Sequence, residues 1–149
     1  MKSRFRTLLL VISVPITLIS LSIHFLGCSG DKKITRQEEV TAALTSGTWK
    51  VNMVTVDGVD KTSTYKDLTL TFTGNSFSST NGGVIWPASG TYTFTDANAS
   101  ALKRNDNLEV QIQEAATSSL KLGLNWTKTT LGSGRVESFS GQHVFSFTK

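Results

Sequence analysis

The sequence is short of several things, and each shortage narrows what the chain can be. A single cysteine, Cys28, stands in 149 residues, so no intramolecular disulfide can form and the fold must hold by packing and hydrogen bonding alone. Only two histidines occur, His24 in an apolar leader and His143 near the C-terminus, and no cluster of histidine, cysteine and carboxylate has metal-binding spacing. His143 stands alone in an apolar register, which suits a hydrogen-bonded wall residue better than a catalytic base. Serine and threonine are plentiful, but none is paired with an orienting base; their abundance fits strand preference and a wet outer face. The Glu38-Glu39 pair also lacks a partner base and belongs in the first turn of a helix. An enzyme, a metal centre and a bound cofactor therefore find no support.

Positive charge is scarcer than it looks. Of 15 basic residues, Lys2, Arg4 and Arg6 precede the apolar run and none of the 11 acids does, which leaves 12 against 11 in the rest of the chain. The high overall pI belongs mostly to the leader. No basic patch with interleaved aromatics remains, so nucleic acid is not an expected partner.

What is present begins with that leader. Residues 1–27 show a basic front, an apolar run from Leu8 to Leu26 interrupted by Ser13, Pro15 and Thr17, and a small residue before Cys28. This is the grammar of an export signal. The ending Phe25-Leu26-Gly27-Cys28 resembles the bacterial lipobox, in which the cysteine thiol receives a diacylglyceryl group before cleavage. An uncleaved membrane helix is the alternative, since the run is about the 20 residues that a bilayer requires. Pro15 in mid-run and the lack of a second thiol favour lipidation, because an unpaired exported thiol is open to oxidation. The resemblance implies attachment at Cys28 to a membrane of the cell envelope, and Ser29 points to the outer membrane. Periplasmic and surface-facing orientations both stay open. Residues 28–34 read as a tether, and 35–149 as one domain, long enough for one core and too short for two.

Within that domain, Thr35-Arg36-Gln37-Glu38 has capping-box spacing, and Val40, Ala43 and Leu44 follow at helical intervals, with Gly47 available as a C-terminal stop. From Gly47 onward nearly everything alternates. Trp49, Val51, Met53 and Thr55 share one side of an extended chain, as do Leu68, Leu70 and Phe72, and Tyr92 and Phe94. Leu108, Val110 and Ile112 repeat the pattern, followed by Leu120 to Trp126 and by His143, Phe145 and Phe147 in a closing strand expected from Val136 to Thr148. With Ser76 to Thr80 and a short Ala101 to Arg104, these make eight segments. Turn-type links join them (Asp57-Gly58, Gly74-Asn75, Asn105-Asp106-Asn107, Gly132-Ser133-Gly134), and none is the long crossover of a Greek key. The pattern predicts an all-β fold: an eight-stranded antiparallel up-and-down barrel with a short N-terminal helix. A sandwich would also satisfy the alternation.

Gly47-Thr48-Trp49, placed after a short helix at the start of the first strand, resembles the G-x-W motif that opens the lipocalin barrel. The domain as a whole resembles small bacterial lipocalin-like lipoproteins, with Asn81-Gly82-Gly83 in the third hairpin, Trp86 followed by Ser89-Gly90-Thr91-Tyr92, and the late Leu120, Leu122, Leu124 strand. No counterpart of the family's T-D-Y motif accompanies them. The resemblance implies that a basic residue after the last strand covers the tryptophan, a place that Lys149 alone can take. It also implies an interior that holds a small ligand, reached through the end opposite the helix.

In a meander each strand reverses direction, so the connections 57–66, 81–90, 104–107 and 128–135 all fall at the end away from Trp49. That places Trp49 in the packed floor. The ligand-binding candidates at the mouth are Met53 and Tyr92 inside the upper wall, Tyr65 and Trp86 on the rim, Trp126 at the end of its strand and Arg104 beside a turn. The expected role is to bind a small apolar or amphipathic molecule as a lipid-anchored monomer. The alternative is a filled barrel that serves, through its loops, as an accessory or inhibitory module of another envelope protein. An open apolar void at the mouth would separate the two.

Overall fold

A computed structural model describes residues 33–128 and 139–149. The leader, Cys28, the Gly132-Ser133-Gly134 turn and the expected strand start at Val136 lie outside the described residues.

The helix α1 (Arg36–Leu44) begins with the capping box that its sequence announces. The Glu38 amide donates to Thr35 Oγ1 at 3.2 Å and the Thr35 amide to Glu38 Oε2 at 2.7 Å, an N-cap of the kind that stabilises a helix by about 1 kcal/mol. Its end differs from the expected glycine stop. Thr45 and Ser46 turn their own amides and hydroxyls back onto the carbonyls of Thr41 and Ala43, satisfying the last turn before Gly47 is reached. Val40 and Leu44 are the buried side of the helix and join the main apolar cluster.

Among the described residues nine strands follow: β1 (Thr48–Val56), β2 (Val59–Asp60), β3 (Thr69–Thr73), β4 (Ser76–Thr80), β5 (Ser89–Phe94), β6 (Ala101–Arg104), β7 (Glu109–Ala115), β8 (Ser119–Trp126) and β9 (Gly141–Thr148). From β3 to β9 each strand pairs antiparallel with the next, and β1 pairs with both β3 and β9. The sheet therefore closes into an eight-stranded up-and-down barrel, as the alternation predicts. The two-residue β2 is an addition to it. It folds back on the upper half of β1 through the Asp57-Gly58 turn, whose two residues both take positive φ, the conformation that a tight hairpin demands.

One register differs from the sequence reading. The pairing of β1 with β9 slips between Val51 and Met53, a β-bulge in which one strand gains a residue. Beyond it the inward side passes from odd to even positions: Trp49 is buried below the bulge, Val54 and Val56 above it. Met53 consequently faces outward and is 45% exposed.

The interior is dominated by rings. Phe72 meets Phe77 and Tyr92, Phe77 meets Trp86, Trp86 meets Phe145, and Phe145 lies between His143 and Phe147. Half of these pairs are edge-to-face, the arrangement that ring quadrupoles favour, and the two on either side of Phe145 in its own strand are stacked. At the closed end the Trp49 indole N–H donates to the Leu44 carbonyl at 2.9 Å, which fastens the barrel to the helix. Lys149 Nζ lies 4.8 Å from the centre of the Trp49 ring and donates to the Ser46 hydroxyl at 2.5 Å. It thereby covers the Trp49 ring as a cation–π partner.

Candidate functional site

The connections at the end away from the helix build the candidate site. The first contributes a 3-10 turn, Thr62–Tyr65, pinned by Thr62, whose amide and hydroxyl both donate to Asp60 Oδ1. Those two hydrogen bonds hold the Asp60 carboxyl below its ordinary pKa. The turn delivers Tyr65 inward, so that its ring packs on Phe145 at 5.1 Å and on His143 at 6.1 Å, both edge-on. Burial pushes the Tyr65 phenol up to about 12.

The β4–β5 connection contributes Trp86. Gly82 makes its entry possible: a Cβ there would overlap the Trp86 carbonyl oxygen and side chain and crowd the Ser79 hydroxyl. The Trp86 amide closes the turn on the Gly82 carbonyl at 3.0 Å, and the Ser79 hydroxyl bridges the Trp86 and Pro87 carbonyls at 2.8 and 2.9 Å. Ile85 and Trp86 fold into the lumen instead of standing on the rim.

Arg104, at the end of β6, follows Leu102 on the inward register and is 2% exposed. Its guanidinium lies between the rings of Trp86 and Phe77, 5.2 and 5.4 Å from their centres. One nitrogen donates to the Ile85 carbonyl at 2.5 Å, and two others engage both carboxylate oxygens of Asp106. Partial burial pushes the Asp106 carboxyl up, but the Arg104 hydrogen bond and charge outweigh it and hold the group below the carboxylate range. The charge of Arg104 is thus spent inside the protein.

Strands β8 and β9 complete the wall. Trp126 pairs with Gly141 across the ladder, and Leu124 with His143. Trp126 keeps a small exposed margin, and a cleft of about 140 Å³ opens beside it, bounded by Asp106, Leu108, Asn125 and Thr127. That space exceeds what one water fills. His143 is fully buried and stacked on Phe145 at 5.8 Å, with Nδ1 3.1 Å from the Gly141 carbonyl. Burial lowers its pKa, against the opposing pull of that hydrogen bond and of the Asp57 charge.

Of the six residues expected at the mouth, four are in its wall: Tyr65, Trp86, Arg104 and Trp126. Trp86 is deeper than expected, and Arg104 is an internal brace, not an exposed rim charge. Two are elsewhere. Met53 is turned outward by the bulge. Tyr92 is inside, but its hydroxyl reaches the Gly74 carbonyl at 2.7 Å, in the turn at the closed end. His143, Asp106 and Phe145 were not among the expected site residues. The signals were a lone imidazole in an apolar register and an acid two positions after an inward arginine.

One property unites the mouth. Tyr65 Oη, Trp86 Nε1, Trp126 Nε1 and His143 Nε2 are all buried, and among the described residues none has a hydrogen-bond partner. No family model matches the chain, and no curated protein does. Among the described residues no group of histidine, cysteine and carboxylate is arranged to hold a metal ion.

Proposed function

We propose that this chain is an envelope lipoprotein of the lipocalin-like kind, anchored through a lipid on Cys28, whose barrel holds one small amphipathic molecule in the mouth half of its lumen. The observation that carries the ligand is the set of four unpartnered polar atoms. Leaving a buried donor or acceptor unmade costs about 1–3 kcal/mol for each group, and native interiors keep such groups rare. Four gathered at one end, among aromatic rings and with Trp126 beside a cleft, are groups that a guest would complete. Binding is the proposed chemistry; among the described residues of the wall no nucleophile is paired with a base.

Anchoring rests on the sequence. Acyl chains contribute about 0.8 kcal/mol per buried methylene, so more than one makes the attachment effectively permanent. Cys28→Ser should leave an unprocessed precursor without acyl label; normal maturation of that variant would exclude lipidation. The outer membrane is the proposed site, in a monomeric form.

Mass spectrometry of the protein purified intact from its host, under conditions that preserve complexes, tests the ligand. A reproducible additional small mass, released on unfolding, is the expected result. A bare chain that also fails to bind small aromatic probes would transfer support to the second reading, an accessory or inhibitory module acting through its loops. The continuous ring packing from Phe72 to Phe147 favours that alternative, because it already fills much of the lumen.

A further inference from the structure

We infer that the molecule held at the mouth is an uncharged, flat aromatic carrying a hydrogen-bond donor, a phenol or an N–H heterocycle, and that His143 Nε2 is the acceptor that selects it. This rests on the lumen reading above and assigns the chemistry of the guest from the free atoms of the wall.

The tautomer of His143 decides the central contact. A carbonyl oxygen can only accept, so the ring nitrogen 3.1 Å from the Gly141 carbonyl, Nδ1, bears the hydrogen. In a neutral imidazole that leaves Nε2 as a bare lone pair, an obligate acceptor. Full burial against Phe145 keeps the ring neutral. The two indoles are the reverse: Trp86 and Trp126 can only donate, and Tyr65 can do either. The free wall therefore consists of one acceptor, two donors and one hydroxyl. A hydrocarbon would leave all of them unmade, and an ether or ester offers nothing to His143.

Charge narrows the class further. Among the described residues the one buried cation, Arg104, is engaged by both oxygens of Asp106 and by the Ile85 carbonyl. Among the described buried residues an anionic fatty acid would find no free cation and an amine no anion, and an unpaired buried ion is costly. The surroundings agree. The rings of Tyr65, Trp86 and His143 each pack directly on the Phe145 ring, 5.1–5.9 Å away centre to centre, so the free atoms belong to one aromatic array, whose edges and faces favour a further ring over an aliphatic chain.

The test uses the full mature protein in detergent, titrated with three probes of one shape: p-cresol, which donates; p-methylanisole, which cannot; and p-toluate, which is charged. Tryptophan fluorescence reports binding, and the imidazole ¹⁵N shifts report the contact. p-Cresol should bind at least tenfold more tightly than p-methylanisole, and p-toluate should not saturate. His143 Nε2 should shift with p-cresol alone. In His143→Phe the preference for p-cresol should fall to within about twofold. Equal binding of the first two probes, an Nε2 resonance indifferent to p-cresol, or an unchanged preference in His143→Phe would each overturn the assignment of the donor while leaving a lumen ligand standing. The nitrogen shift keeps the question open to refutation in the unmutated protein should the variant fold poorly. Failure of every probe to bind, together with a bare chain from the host, would overturn the lumen reading itself and this inference with it.

Discussion

Removing the negative partner of Arg104 is the sharpest way to ask what holds the mouth together. Asp106→Asn keeps the size of the side chain but withdraws a full charge from a guanidinium whose side chain has no solvent exposure. Breaking a fully buried pair in this way costs about 3–5 kcal/mol. The Asp106 side chain is 43% exposed, so water can take up part of the loss, and the Ile85 carbonyl and two aromatic faces remain. The expected cost is therefore lower, about 2–3 kcal/mol. With a urea m-value of about 1.5–2 kcal/mol per molar for a domain of this size, the unfolding midpoint should fall by roughly 1–2 M. Buried tryptophans make fluorescence a direct readout. The decisive control is Arg104→Met, which removes the charge that needed a partner and leaves the Ile85 carbonyl without its donor. In that background Asp106→Asn should cost less than about 0.5 kcal/mol, because its penalty arises from the stranded cation. Equal costs in the two backgrounds, or a midpoint unmoved by Asp106→Asn alone, would refute the view that Arg104 is an internal brace.

Other consequences can be checked with the same unfolding assay. Gly82→Ala should destabilise by about 1–3 kcal/mol and alter the near-ultraviolet dichroism of Trp86, since the new methyl group overlaps its backbone and side chain; an unaltered spectrum would mean that the turn adapts freely. Trp49→Phe strands the Leu44 carbonyl and should cost about 2–3 kcal/mol, whereas Lys149→Ala loses an exposed cation–ring contact and an exposed hydrogen bond to Ser46 and should cost at most about 1 kcal/mol; the reverse order would contradict the described floor. His143 has a folded-state pKa below its ordinary value because of burial, so the unfolded chain binds its proton more readily. Stability should be full above about pH 6.5 and decline on acidification down to the folded-state pKa, by at most about 1.4 kcal/mol per unit from this group. His143→Phe should remove that component of the slope, as measured by midpoints between pH 7 and 5.

The barrel was legible because its signals are local. Thr35 and Glu38 declare the helix start, and alternation such as Leu120, Leu122, Leu124 and Trp126 survives unchanged from sequence to wall. The parity of short connections also placed Tyr65, Trp86, Arg104 and Trp126 at one end. What could not be read depends on distant pairings. Trp49, Val51 and Met53 alternate without a break, and only the register of β1 against β9 inserts the extra residue that turns Met53 out. The depth of Trp86 depends on how closely Gly82 lets the turn fold over. The unpartnered state of His143 Nε2 is a property of its packed surroundings, invisible until the neighbours are in place.

The seam between β1 and β9 carries a consequence for how the molecule comes into being. Val56 faces His143 and Lys50 faces Thr148, so the first strand waits for the last before either has both its neighbours. Pairing across such a separation is slow, because loop closure precedes any reward. Until the final strand arrives, two raw edges stand open to strands of other chains. Loss of β9 would therefore leave an unsealed sheet rather than a smaller barrel, and because β9 is synthesised after both of its partners it acts as the latch of the barrel.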